Sequence, residues 1–239
     1  MKRGVTEESI TVSDLEIMAK ANHYRTWIYR NIAPFIGQRI LEVGAGIGNF
    51  TACWIDRECI VAIDTYAPCV AHVKARFAHE PKVVALQLDI ADADAQALRR
   101  YEFDTVICLN VLEHIPDDLQ ALAVMYAALQ PGGRLVLLVP AFPFLYGSVD
   151  RSLGHCRRYT KKTLLPKIGQ TGFEVQRAFY MNMIGMAGWF LNNRLLKWHE
   201  ESAAQIGFFD RFIAPWEERI EGFLRPPIGL SLIAICRKT

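Results

Sequence analysis

The feature that most constrains the fold is a regular alternation of short apolar runs with longer segments of helical periodicity. Strands that are apolar at nearly every position are buried on both faces, as in a parallel sheet covered by helices. The sequence therefore predicts an α/β fold with a doubly wound, mostly parallel sheet. The runs that predict strands cover residues 39–43, 59–63, 83–88, 105–109 and 135–139, and the segments that predict helices cover 68–79, 92–101 and 117–130.

Length, charge and cysteine content narrow the class of protein. The chain has 239 residues, 51% of them hydrophobic, and a net charge of +2, which allows a full-sized core and does not indicate a nucleic-acid partner. Its 6 cysteines form no C-x-x-C pair, as is typical of a reducing compartment. No run reaches the ~20 apolar residues of a membrane-spanning helix. We expect a cytoplasmic protein without an integral membrane segment.

Further elements flank this alternation. Ser13 and Glu16 form a capping-box pattern that predicts an N-terminal helix ending at Pro34. After the fifth strand, residues 140–160 form a long loop, and loops of this length in compact domains usually carry function. Thr160 is predicted to cap the next helix, and Pro166 predicts a kink or a late start there. Two more strands are predicted at 173–179 and 231–236, with an apolar helical insertion between them.

Glycines and acids mark the ends of successive strands. Gly44, Gly46 and Gly48 follow the first strand, where they predict a turn into a helix and allow a ligand to approach the backbone. Asp64 ends the second strand and Asp89 ends the third. Because parallel strands bind ligands beyond their carboxyl ends, these acids are placed to accept from ribose hydroxyls and from an adenine amino group.

A dehydrogenase of the Rossmann type also follows its first strand with glycines. Its fingerprint is G-x-G-x-x-G, whereas here Gly48 comes one residue early and Asn49 occupies the fingerprint position. The sequence also contains no Ser-x-x-x-Tyr-x-x-x-Lys-like proton relay. Both departures disfavour a dehydrogenase.

The ordered motifs of the chain resemble those of class I S-adenosylmethionine-dependent methyltransferases. The resemblance covers roughly residues 39–140 and implies a seven-stranded sheet with an antiparallel last strand, and S-adenosyl-L-methionine as the cofactor. The segments that carry it are residues 40–50, Asp64, residues 88–89, residues 103–104, residues 110–115 and residues 129–133.

The resemblance also implies a role for individual residues. The glycine loop passes the methionine moiety, the second-strand acid holds the ribose, the third-strand acid and its neighbour hold the adenine, and the segment after the fourth strand lines the cofactor. The implied cofactor-binding residues are Glu42, Gly44, Ala45, Gly46, Gly48, Asn49, Asp64, Thr65, Asp89, Ile90, Asn110 and Val111.

On this basis we expect one methyltransferase domain over residues 1–239. Residues 1–38 are expected to form an N-terminal helical cap, 39–180 the cofactor-binding core, 181–228 a helical insertion and 229–239 the last strand. Residues 154–160 and the insertion resemble a bacterial subgroup found beside, or fused to, glycosyltransferases of cell-surface polysaccharide or secondary-metabolite pathways.

Methyl transfer from a sulfonium is an in-line displacement, so the acceptor must be aligned and, for an oxygen or carbon nucleophile, must lose a proton. His114, after the fourth strand, and His155 and Tyr159, in the long loop, are the candidate catalytic residues. The histidines have alternative roles, because His114 could hydrogen-bond the backbone and His155 could be an exposed loop residue. No grouping has metal-ligand spacing, so no metal is predicted.

The acceptor site is predicted from cations and aromatic residues. Arg157 and Arg158 suit a phosphate or carboxylate, and Tyr24 and Trp27 are expected to roof the pocket together with the insertion. This combination favours an acceptor with an apolar body and an anionic group. Alternatively, the arginines pair with nearby acids, and the apolar helices form core, a dimer interface or a contact with a lipid-linked acceptor at a membrane surface.

Two functions therefore remain open. The first is transfer of a methyl group from S-adenosylmethionine to oxygen, nitrogen or carbon of a small-molecule acceptor by a protein that is a monomer or a homodimer. The second is a protein that binds the cofactor without methylating, such as a cyclase, a decarboxylase or an accessory partner on the same fold.

Overall fold

The computed structural model describes Leu15, residues 20–191 and residues 203–239. One seven-stranded sheet organises this part of the chain, in the order β3-β2-β1-β4-β5-β7-β6. Neighbouring strands from β1 to β5 pair in parallel, whereas β7 is antiparallel to both β5 and β6. The strands are β1 (Arg39–Val43), β2 (Cys59–Asp64), β3 (Val83–Gln87), β4 (Phe103–Leu109), β5 (Leu129–Pro140), β6 (Phe173–Met181) and β7 (Ser231–Lys238).

Helices cover both faces of the sheet, which confirms the doubly wound α/β prediction. Ile40 packs in one core cluster with residues of α1, while its neighbour Leu41 packs in the other with residues of α4 and α6. The helices are α1 (Asn22–Ile32), α2 (Ala67–Arg76), α3 (Ala95–Arg99), α4 (Asp118–Ala128), α5 (Ser148–Ser152), α6 (Lys161–Gln170), α7 (Met183–Phe190), α8 (Ala203–Phe208) and α9 (Ala214–Phe223), with a π-helical segment (Phe209–Ile213) between α8 and α9.

The strand order reverses between β1 and β4, the two strands that flank the switch point of the sheet. In open α/β sheets the ligand binds in the crevice outside the carboxyl ends of the strands at this point. The segments that follow β1 and β4, Gly44–Gly48 and Asn110–His114, therefore meet at the place where a ligand is expected.

The segment after the glycine turn corrects one prediction. An α-helix was expected there, but residues 44–50 form turns and only a short 3-10 helix, Thr51–Trp54, precedes β2. Gly44, Gly46 and Gly48 have φ angles of 71°, 53° and 79°. A right-handed helix cannot contain such left-handed residues, so the chain starts regular structure only after them.

Two helix starts also differ from expectation. Helix α1 begins at Asn22 with Ala21 as a N-cap that makes no side-chain hydrogen bond, and the predicted capping box of Ser13 and Glu16 lies outside the described residues. Thr160 caps α6 as predicted, because its side chain accepts from the Thr163 amide. The predicted late start is wrong, since α6 begins at Lys161 and continues past Pro166.

No helix among the described residues is long and apolar enough to cross a membrane.

Candidate active site

A cavity of about 1180 Å³ opens at the carboxyl ends of the parallel strands. Its floor consists of residues at the ends of β1, β4 and β5, together with Asn182 after β6 and Ser231 at the start of β7. Side chains from α1, α5, α7 and the segment 203–213 surround it. The cavity therefore combines the motif-bearing strand ends with the N-terminal helix and the insertion.

The glycine loop forms one wall of this cavity. The amides of Gly44 and Ala45 both donate to the carbonyl of Ile63, at 2.8 and 3.0 Å. A Cβ atom at position 44 would lie 2.2 Å from a methyl group of Val111, so only glycine fits between the two segments. The loop is thus packed tightly against the segment after β4 and lines the cavity at Gly44, Ala45 and Gly46.

Glu42 is buried beneath the loop and lines the cavity. Its Oε2 atom has no hydrogen-bond partner among the described residues. Burial raises the pKa of Glu42 to about 7; Thr51 opposes this shift and the negative charge of Asp64 adds to it. A buried carboxyl group without a donor is costly, and it can be stabilised by a ligand that brings a positive charge or an N–H group.

The predicted cofactor residues fall into two groups. Glu42, Gly44, Ala45, Gly46, Asn49 and Asn110 line the cavity. The others do not line it: Gly48, Asp64, Thr65, Asp89, Ile90 and Val111.

The two strand-end acids of the second group bind backbone amides. Asp64 is joined to the glycine loop, because its Oδ2 accepts from the Gly46 amide at 2.8 Å and its Oδ1 accepts from the Tyr66 amide. Asp89 is exposed and accepts from the Ala91 amide. Their roles toward a ribose and an adenine stay predictions.

A second wall brings two histidines together. His114 ends the 3-10 helix Leu112–His114, and His155 lies in the loop after α5. Their rings meet edge to face with centroids 4.7 Å apart, and both line the cavity. Burial among protein atoms lowers the pKa of His114 to about 4, and the neighbouring His155 adds to the effect. His114 is therefore a neutral imidazole at physiological pH.

Asp150 holds His155 in one orientation. Its Oδ1 lies 2.9 Å from His155 Nδ1 and accepts from Arg158 Nε at 2.7 Å. Burial alone would raise the pKa of Asp150, but the hydrogen bonds from His155 and Arg158 lower it below its usual range. A charged carboxylate can only accept, so His155 Nδ1 donates this hydrogen bond, and in the neutral imidazole the lone pair lies on Nε2.

Three predicted site residues do not line the cavity. Tyr159 is 1% exposed, its hydroxyl donates to Asp118 at 2.9 Å, and burial raises its pKa. Arg157 forms an ion pair with the same carboxylate at 2.9 Å. Trp27 is buried and packs in the core between α1 and the sheet. The structure therefore places Tyr159, Arg157 and Trp27 outside the lining of the cavity, and their contacts give no support to the catalytic and acceptor-binding roles predicted for them.

Arg158 and Tyr24 do line the cavity. The Arg158 guanidinium forms an ion pair with Asp150, which offsets its charge. It also lies 4.6 Å from the ring centroid of Trp189. The Tyr24 hydroxyl lies 3.2 Å from Ser231 Oγ. Two further arginines of the lining, Arg25 and Arg151, were not among the predicted acceptor residues.

Asn182 is a site residue that the sequence analysis missed. It has a left-handed φ of 65° at the end of β6, is 4% exposed and lines the cavity with an Oδ1 that has no partner among the described residues. Glu221 accepts from the Asn182 and Met183 amides, and Glu217 accepts from the Ile184 amide. No local pattern could predict these contacts, because the glutamates come from α9.

The insertion has two different faces. Ile184, Trp189, Phe209 and Ile213 line the cavity, as expected for a pocket wall. Phe208 lines the cavity and is also exposed to solvent, whereas Phe212, Trp216, Ile220 and Phe223 are exposed and do not line it.

Comparison with known proteins agrees with the motifs. Residues 41–135 match the family model described as a methyltransferase domain, which confirms the resemblance to class I methyltransferases in this stretch. A tRNA U34 carboxymethyltransferase from Alcanivorax borkumensis is 34% identical over 46% of this chain and 36% of its own length. A ubiquinone biosynthesis O-methyltransferase from Thiobacillus denitrificans is 30% identical over 42% of this chain and 44% of its own length. The chain thus matches less than half of either relative.

Solved structures share the fold over most of the chain. The N-methyltransferase NodS from Bradyrhizobium japonicum in complex with S-adenosyl-L-homocysteine has a TM-score of 0.57 at 16% identity, over 91% of this chain and 85% of its own. The [4+2]-cyclase SpnF has a TM-score of 0.58 at 20% identity, over 90% and 79%. These likenesses confirm the class I fold, including its antiparallel strand β7.

Proposed function

We propose that this chain, whose residues 41–135 match the methyltransferase-domain family, transfers a methyl group from S-adenosyl-L-methionine to a small-molecule acceptor. The observation that carries the proposal is the glycine loop, which opens into the large cavity at the carboxyl ends of the strands with Glu42 beneath it, whose Oε2 has no hydrogen-bond partner among the described residues. The O-methyltransferase and N-methyltransferase names of a relative and of a structural neighbour support the same reaction class.

The cofactor would lie along the glycine loop. Glu42 would accept a hydrogen bond from the ammonium group of its methionine moiety, which is the positive partner that this buried carboxyl lacks. Asp64 would hold the ribose of the cofactor, and Asp89 with Ile90 would hold its adenine. Asn110, in the segment after β4, would line the cofactor. S-adenosylmethionine, when bound, supplies an electrophilic methyl group on a sulfonium sulfur.

The acceptor would occupy the rest of the cavity. A volume of about 1180 Å³ exceeds the ~300–1,000 Å³ of ordinary small-molecule pockets, which leaves room for an acceptor beside the cofactor. The walls contributed by α7 and residues 203–213 are largely apolar, which favours an acceptor with an apolar body. Arg157 and Arg158 are paired with Asp118 and Asp150, so recognition of an anionic group is assigned to Arg151, an exposed arginine of the lining.

The reaction is an in-line displacement on the methyl carbon. The acceptor atom forms a bond to this carbon while the bond from carbon to sulfur breaks, and a hydroxyl acceptor loses its proton. His114 and His155 line the cavity and can take up this proton. His114 is held as a neutral imidazole. His155, when neutral, has its lone pair on Nε2, because its Nδ1 is bonded to Asp150. The helices above the cavity exclude water from the reacting atoms.

The test is formation of S-adenosylhomocysteine. Purified protein is incubated with S-adenosylmethionine and a panel of small phenols, hydroxy acids, amines and lipid-linked sugars, and S-adenosylhomocysteine and methylated product are measured by mass spectrometry. We expect equal amounts of both with at least one acceptor, and a fall in turnover of ~100-fold or more in His155→Ala, because proton removal contributes about that much. The control His72→Ala changes an exposed histidine of α2 and should keep full turnover.

The alternative function predicts a different result. A cyclase, a decarboxylase or an accessory partner would bind S-adenosylmethionine and leave it intact across the whole panel. Tight binding without any S-adenosylhomocysteine would therefore overturn the proposal in favour of a non-methylating protein on the same fold.

A further inference from the structure

Three side chains on one wall of the cavity form a cluster in which the two proposed bases are joined by Glu113, a residue that the proposed methyl transfer does not use. Each of Glu113, His114 and His155 offers one ligand atom, and these atoms all lie within 4.8 Å of one another. Glu113 and His114 are adjacent on the 3-10 helix after β4, whereas His155 comes from the loop after α5. Sequence spacing could not predict this grouping, because only the fold brings the two segments together.

Glu113 supplies an observation independent of the grouping. Its side chain is fully buried, and neither Oε1 nor Oε2 has a hydrogen-bond partner among the described residues. An ionised carboxylate is costly in such a place unless a cation or several donors compensate it. Arg158 does not fill this role by direct contact, because its Nε donates to Asp150. The positive charge of Arg158 opposes the rise of the Glu113 pKa from a distance, but no donor of the described residues hydrogen-bonds to the carboxyl group.

Both histidines have the surroundings of metal ligands. A ligating histidine normally donates its other ring N–H to a carboxylate or a backbone carbonyl, which fixes the ring and its tautomer. His155 Nδ1 is held by Asp150 at 2.9 Å, which leaves Nε2 as the ligand atom. His114 lies against the backbone of Leu153, which interacts with its imidazole. Each ring can therefore present a lone pair to a common point.

We propose that Glu113, His114 and His155 bind a divalent transition-metal ion whose open coordination positions face the cavity. Two imidazoles and one carboxylate suit Zn²⁺, Fe²⁺ or Co²⁺, whereas Mg²⁺ and Ca²⁺ prefer oxygen ligands. Three protein ligands leave positions for water or for an oxygen atom of a second molecule. The ligand class that fits these positions is an acceptor with a hydroxyl or carboxylate oxygen.

This inference deepens the proposed function. An ion occupies the lone pairs that proton uptake by the histidines would use, so His114 and His155 become ligands instead of bases. A hydroxyl group bound to the ion has a lower pKa and is a better nucleophile toward the methyl carbon. The metal site can be tested without any acceptor or cofactor.

The experiment is a titration of the metal-free full chain with Co²⁺, in which the absorption bands between about 500 and 650 nm report tetrahedral or five-coordinate cobalt. Metal-free protein is prepared with EDTA, which is then removed by dialysis. We expect one equivalent of Co²⁺ to bind to the wild type, displacement of these bands by one equivalent of Zn²⁺, and a rise of the thermal midpoint with Zn²⁺ concentration.

Two variants and a control locate the site. Glu113→Gln keeps the shape of the side chain and removes its charge, and His155→Ala removes one imidazole; we expect each to weaken Co²⁺ binding by ~100-fold or more. His72→Ala changes an exposed histidine outside the cavity and should bind as the wild type does. Circular dichroism of the metal-free variants checks folding.

The proposal is overturned if the wild type shows no stoichiometric Co²⁺ binding, or if Glu113→Gln and His155→Ala bind Co²⁺ as tightly as the wild type. Either result leaves the methyltransferase proposal intact, with the histidines as bases. Failure to bind S-adenosylmethionine while Co²⁺ still binds would instead reject the methyltransferase proposal and leave the metal site standing.

Discussion

At the scale of single residues, three buried glutamates separate this chain from an ordinary α/β core. Burial raises the pKa values of Glu42 to about 7, of Glu113 to about 8 and of Glu217 to about 7. Glu217 accepts from the Ile184 amide at the start of α7, so its position is explained by the fold. One oxygen of Glu217, one of Glu42 and both of Glu113 have no hydrogen-bond partner among the described residues. Glu42 and Glu113 line the cavity and Glu217 does not, which is why we assign Glu42 and Glu113 to ligands.

The raised pKa of Glu113 predicts how stability depends on pH. A carboxyl group whose pKa is higher in the folded state contributes stability that is complete below its unfolded pKa and is lost as pH rises through its folded value. The ordinary pKa of a glutamate is 4.5 and the pKa of Glu113 in the folded chain is about 8, so the loss falls between these pH values. Glu113→Gln cannot titrate and removes the loss.

Urea unfolding in EDTA should therefore show that Glu113→Gln gains stability relative to the wild type by on the order of 2 kcal/mol or more between pH 5 and pH 8.5. Glu174→Gln changes an exposed glutamate of β6 and should show no such gain. A constant difference between Glu113→Gln and the wild type across this pH range would mean that Glu113 has an ordinary pKa.

At the scale of elements, the start of α1 depends on a residue far away in the chain. The carboxylate of Asp210, in the π-helical segment, accepts from the Tyr24 amide at 2.8 Å and from the His23 amide at 3.2 Å. These are orphan N–H groups of the first turn of α1, which Ala21 cannot cap. The N-terminal helix and the insertion are thereby joined above the cavity.

Removing this contact should destabilise the roof of the cavity. Asp210→Ala leaves two partly buried amides of the first turn without this acceptor, and the loss of a helix cap costs ~0.5–2 kcal/mol. We expect a decrease of this size in the free energy of unfolding, measured with urea, together with faster hydrogen exchange at the start of α1. Asp92→Ala, at an exposed position, is the matched control. Unchanged exchange at residues 23 and 24 would show that the cap is not formed in solution.

At the scale of the whole molecule, the sequence was sufficient to predict the sheet but not to predict which side chains contact each other. Apolar runs in the sequence located every strand, because a strand that is buried on both faces is apolar at nearly every position of a short stretch. The glycines and acids at strand ends marked the correct edge of the sheet, because each of them directly follows a strand in the sequence. The helix expected after Gly48 is absent, since the positive φ angles of the loop are a property of the folded turn and not of residue composition alone.

Site residues far from the glycine loop were predicted less well. Tyr159 and Arg157 have the chemistry of catalytic and binding residues, but Asp118 from α4 engages both. Asn182 gave no signal in the sequence, and Glu113 and Asp210 lay in segments that carried a resemblance without a role of their own. The importance of all three arises from contacts between distant segments. Tertiary partners therefore decided which polar residues face the cavity and which stabilise the core.

The central claim is that the glycine loop and Glu42 form the binding site of S-adenosylmethionine. Isothermal titration of the full chain with S-adenosylhomocysteine, which keeps the ammonium group and lacks the reactive methyl, tests it most directly. We predict one equivalent bound to the wild type and a ~10-fold or greater loss of affinity in Glu42→Gln, as expected for a charged hydrogen bond to a buried group. Glu174→Gln, which changes an exposed glutamate of β6, should bind as the wild type does. No binding to the wild type, or equal affinity in Glu42→Gln, would contradict the account.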